Sequence, residues 1–147
     1  MEDGLDSVDR TVAKAEASAV TAAEAARVAP EPLGAAAPRK YFVAFVTPAE
    51  ARGSGGFMGN YSLLTIDDGR MDLGPIGRLS DLNLAGDPAL KKIEGPPDYV
   101  ARYSRFDPAH YWENVTMSPD FPSVGQVVSS LYPLSGGERI DGVLRLD

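Results

Sequence analysis

The stretch Thr47-Pro48-Ala49-Glu50-Ala51-Arg52-Gly53-Ser54-Gly55-Gly56 sets one arginine among three glycines. Glycine lets backbone N–H groups approach a ligand closely, and the planar, permanently charged fork of Arg52 suits phosphate or carboxylate, so Arg52 with Gly55 and Gly56 is a candidate anion nest. No Gly-Lys-Ser/Thr follows, so it is not a Walker loop, and a structural turn explains the same glycines. A second pair, Arg78 and Asp81, brackets Leu79-Ser80. Together they could hold a phosphate and its magnesium, or form an ordinary surface ion pair. His110-Tyr111-Trp112 is the third candidate. Aromatic rings beside polar groups can build a sugar-stacking wall, and a satisfied core cluster would use the same residues.

Composition narrows the chemistry further. The chain has no cysteine, which removes disulfides, thiol nucleophiles and zinc ribbons, and its single histidine rules out a His-pair metal site. No metal site is assigned, and any metal would rest on oxygen ligands. A net charge of -7 argues against nucleic acid as a partner. No apolar run approaches the ~20 residues that span a bilayer, and the acidic start Met1-Glu2-Asp3 is unlike a signal peptide. Ser118 lacks a nucleophile-elbow pattern, and Ser118-Pro119-Asp120 reads as a turn whose Ser or Asp caps the following helix.

These residues need elements to position them. Leu5, Val8, Val12, Ala15, Ala19, Ala22 and Ala26 recur at alternating spacings of three and four, which predicts a long alanine-rich helix within residues 1–29. Pro30, Pro32, Gly34 and Pro38 make residues 30–39 a linker, and residues 40–147 the folded domain. The continuous apolar run Tyr41 to Val46 predicts a strand buried on both faces, at the sheet interior. The Gly-rich loop leaves its end. Phe57 to Ile66 and Arg70 to Ile76 form a hairpin about Asp67-Asp68-Gly69, an Asp-Gly turn signal. Residues 77–97 read as a long loop with one helical turn, and Pro96-Pro97 opens a short helix reaching Tyr103. Val124, Val127, Val128 and Leu131 share a helix face closed by Gly136-Gly137, and Ile140 to Leu146 supplies a last strand. The expected fold is α/β or α+β, a layered mixed sheet with a hairpin and a C-terminal αβ unit. The stop at Asp147 directly after a strand points to a domain cut from a longer protein.

Tyr41 to Val46, Pro48-Ala49-Glu50-Ala51-Arg52 with Gly55-Gly56-Phe57, Asn114 with Ser118-Pro119-Asp120-Phe121-Pro122, and Asp141-Gly142-Val143 together resemble the domain of unknown function 4012 (DUF4012) of bacterial envelope proteins. That resemblance implies an extracytoplasmic domain, membrane-anchored by a segment outside this chain, as in actinobacteria. It supplies a location and no mechanism; the function expected is a noncatalytic module for glycan, lipid-linked polymer or protein, without a cofactor. The order of parts is also similar to that of LytR-CpsA-Psr phosphotransferases, which act on polyprenyl pyrophosphate-linked glycopolymers. That similarity implies a magnesium-assisted pyrophosphate site at Arg78 and Asp81. Here those two are not adjacent, and Gly55-Gly56-Phe57 stands where that family carries Arg-x-Asp.

Overall fold

The computed structural model describes residues 30–49 and 52–147. The helix expected within residues 1–29 lies outside them, as do Glu50 and Ala51 of the Gly-rich loop.

Five strands form one sheet: β1 (Arg39–Thr47), β2 (Phe57–Asp67), β3 (Arg70–Leu73), the two-residue β4 (Gly77–Arg78) and β5 (Gly142–Leu146). The order is β3-β2-β1-β5, with β4 also on β2, so β1 is interior, with Phe42, Ala44 and Val46 buried on one face and Val43 buried between half-buried Tyr41 and Phe45 on the other. β1 pairs parallel with β5, with Phe42 opposite Val143 and Ala44 opposite Arg145. Asp141 fixes that register. Its carboxylate accepts from the Lys40 N–H at 2.8 Å and from Arg39 Nη1 at 2.8 Å, while its own N–H donates to the Lys40 carbonyl at 2.7 Å. The Lys40 N–H and the Arg39 guanidinium hold that carboxyl below the usual carboxylate range.

At the β2–β3 turn Asp68 and Gly69 have φ of 45° and 77°, the paired positive values of a type I′ hairpin. Leu33 and Gly34, in the turns that follow Pro30, accept hydrogen bonds from Gly69 and Asp68 at 2.8 and 3.2 Å. The returning strand is shorter than the expected Arg70 to Ile76. After β3 ends at Leu73, Gly74 N–H still donates to the Leu63 carbonyl, and Pro75, without an N–H, interrupts the ladder before Gly77 pairs with Tyr61.

Three helices follow: α1 (Leu79–Leu84), α2 (Pro97–Tyr103) and α3 (Phe121–Leu134). Asp120 caps α3 by accepting from the Ser123 N–H at 3.2 Å, and Val124, Val127, Val128 and Leu131 on its inner face are fully buried. Phe42 centres the core. Its ring stacks on Tyr61 at 5.1 Å and Trp112 at 5.8 Å and meets the edge of Tyr132 at 5.2 Å. Burial, with the charges of Tyr61 and Glu138 adding, pushes the Tyr132 hydroxyl up to about 12.

Candidate functional site

The Gly-rich loop reaches the end of β1 and is fastened to the 3₁₀ turn Trp112–Met117 and the residues after it. Ser54 N–H donates to the Thr116 carbonyl at 3.2 Å, Ser54 Oγ to the Ser118 carbonyl, and Thr116 Oγ1 to the Gly56 carbonyl at 3.2 Å. A Cβ on Gly56 would sit 1.9 Å from the Thr47 carbonyl oxygen, at a φ of +128°. The glycines therefore let two backbone segments meet. The expected open nest is corrected on that point: close approach is used against the protein's own chain, while Gly55, exposed, adjoins the Arg145 guanidinium.

Arg52 is similarly engaged. Its Nη1 donates to the Glu113 carbonyl at 2.9 Å and to Asn114 Oδ1 at 3.0 Å, and its guanidinium lies 5.4 Å from the Phe57 ring centroid. Phe57 and Glu113 also form one wall of a recess of about 280 Å³, completed by Asn60, Arg78, Ser80 and Asn83. Both arginines thus border one patch, with only Arg78 reaching into the open space. Arg78 ends β4 and is the N-cap residue of α1, and it is exposed. Asp81 is not in that wall. Its charge acts on Tyr61, whose hydroxyl is raised first by burial and then by Asp81. Arg52, Arg78 and Asp81 therefore do not gather in one pocket, and the recess sets the Glu113 carboxylate against the charge of Arg78.

The recess is held by residues that sequence reasoning passed over. Asn83 accepts the Trp112 N–H at 2.8 Å and donates to Glu113 Oε2 at 3.0 Å. Lys91, 6% exposed, donates to the carbonyls of Leu82 and Asn83, both at 2.8 Å, and so caps the C-terminal end of α1 with positive charge. Burial lowers its ammonium below the ordinary lysine value. Neither residue belongs to a motif: they converge because the 77–97 segment folds back on the Trp112 turn.

The aromatic wall is also corrected. Trp112 is fully buried, its indole N–H donating to Ser135 Oγ at 3.0 Å, so it serves the core and offers no face to a sugar. Tyr111 next to it is 54% exposed. His110 binds Asp107 Oδ1 at 2.8 Å and the Pro88 carbonyl at 3.2 Å, and those two bonds raise its imidazole above the ordinary value. Among the described residues no group of three or more His, Asp or Glu is placed to hold a metal ion, and no helix is long and apolar enough to cross a membrane.

A sequence family described as a protein of unknown function (DUF4012) matches residues 36–147. No curated protein and no solved structure matches the chain.

Proposed function

The chain belongs to the DUF4012 family, and on that premise we propose that it is a noncatalytic envelope module that binds the sugar part of a glycan or lipid-linked polymer in the Arg78 recess. The observation that carries this reading is the lining itself. One guanidinium, one carboxylate, two amides and a hydroxyl surround a space bounded by the Phe57 ring. Planar donors and acceptors of balanced charge suit the paired hydroxyls of a saccharide, and an aromatic face suits its C–H surface.

An extracytoplasmic location and attachment to the membrane through a segment outside this chain belong to the same proposal, as does its place in actinobacteria-like envelopes. The rival, a LytR-CpsA-Psr-like phosphotransferase with magnesium, needs Arg52, Arg78 and Asp81 around one pyrophosphate. It is less well supported, because Arg52 is committed to Glu113 and Asn114, and Asp81 lies outside the recess.

The test is calorimetric titration of the 147-residue chain with envelope oligosaccharides and, separately, with a short polyprenyl pyrophosphate. Arg78→Ala is expected to weaken saccharide binding about tenfold, the loss of one charge-assisted hydrogen bond. Binding of the pyrophosphate but no saccharide, or full affinity in Arg78→Ala, would refute the reading.

A further inference from the structure

A second cleft, of about 470 Å³, lies between α2 and the turn that enters α3. Its size is that of a small-molecule site. Three prolines stiffen its lips: Pro96 and Pro97 at the start of α2, and Pro119 in the opposite turn. Their fixed φ angles leave little backbone freedom to lose on binding.

In the floor, Tyr99 and Ser118 are paired within the protein, and Asp120 is paired through one carboxylate oxygen. The Tyr99 hydroxyl donates to the Val115 carbonyl at 2.8 Å, Ser118 Oγ accepts the Asp120 N–H at 3.2 Å, and Asp120 accepts from Ser123 as the cap of α3. Burial raises the Tyr99 hydroxyl well above the ordinary tyrosine value, so it stays a neutral donor. What remains open to the cleft is Asp98, Arg102 and the second carboxylate oxygen of Asp120, with the Tyr103 ring beside them. Asp98 and Arg102 are one helical turn apart on α2, both exposed, and neither side chain is hydrogen-bonded or ion-paired to a described residue.

We infer that this cleft is a binding site for a neutral saccharide, distinct from the Arg78 recess and independent of its function. The Asp98 carboxylate and the Arg102 guanidinium on one face of α2 each take two hydroxyls in their own plane, and with Asp120 opposite the lining carries two carboxylates against one guanidinium, which disfavours an anionic ligand. The Tyr103 ring and the proline rings supply the apolar surface against which a pyranose lies. A polyproline-type peptide needs a row of donors for its carbonyls, and the Tyr99 hydroxyl is already committed to Val115.

The experiment is an amide chemical-shift titration of the 147-residue chain with cellobiose, maltose and chitobiose, followed by Asp98→Ala and Arg102→Ala. Shifts are expected at Asp98, Arg102, Tyr103 and Asp120. Each variant should weaken binding about fivefold or more while melting at the wild-type temperature, because both side chains are exposed. Arg78→Ala should leave the shifts at Asp98, Arg102, Tyr103 and Asp120 unchanged, which separates the cleft from the recess. Shifts confined to Asn60, Arg78 and Asn83, wild-type affinity in both α2 variants, or saturation by a proline-rich peptide and by no disaccharide would each overturn the inference.

Discussion

Replacing Asn83 by alanine removes a side chain whose two hydrogen bonds tie α1 to the Trp112 turn. Two bonds go together: the acceptor for the Trp112 N–H at 2.8 Å and the donor to Glu113 at 3.0 Å. Trp112 is fully buried, so its amide loses a partner where water has poor access, a cost of about 1–3 kcal/mol. The Glu113 bond is partly solvated and adds less than about 1 kcal/mol. The sum, about 2 kcal/mol, corresponds to a fall in Tm of roughly 5–10 °C for a domain of this size. Asn83→Asp keeps the acceptor and converts the donor into a second carboxylate facing Glu113. Its deficit should be present at neutral pH and shrink on acidification, since protonating either carboxyl restores a donor and removes the repulsion. Thermal denaturation followed by circular dichroism at pH 7 and in mild acid reads both effects. An Asn83→Ala melt that overlays the wild type, or an Asn83→Asp deficit that grows on acidification, would refute this account of the recess.

Gly56→Ala should cost about 3 kcal/mol or more, since its Cβ meets the Thr47 backbone at 1.9 Å on a strained φ; a denaturant midpoint close to wild type would contradict that geometry. Trp112→Phe removes the indole donor to Ser135 and leaves a buried hydroxyl without that partner, so a loss of about 1–3 kcal/mol is expected by urea denaturation. The single histidine permits a direct titration by NMR. Its folded pKa is raised first by Asp107 and then by the Pro88 carbonyl, so its stabilising contribution is full below the unfolded value and is lost as pH rises through the folded one. Asp107→Asn should return the His110 midpoint toward the ordinary value, and a wild-type midpoint at or below about 6.5 would count against the contact.

The sheet was legible in the sequence because its signals are local. Tyr41 to Val46 has no polar residue to turn outward, so it had to be interior, and Asp68-Gly69 can adopt the two positive φ angles of a hairpin turn without help from the rest of the chain. Helix α3 announced itself by its apolar spacing and by Asp120 before its first turn. The site was not legible in this way. Whether Trp112 faces solvent or the core depends on Phe42 and Tyr132, far from it in sequence, and nothing in His110-Tyr111-Trp112 distinguishes the exposed ring from the buried one. The glycines after Arg52 mark close approach, but their own sequence does not say what approaches. Tertiary structure supplied Thr47, Met117 and Pro119 as the neighbours of Gly53 and Gly56. Asn83, Lys91 and Glu113 sit in segments without periodicity, where the chain is placed by long-range hydrogen bonds, and such bonds leave no trace in residue spacing.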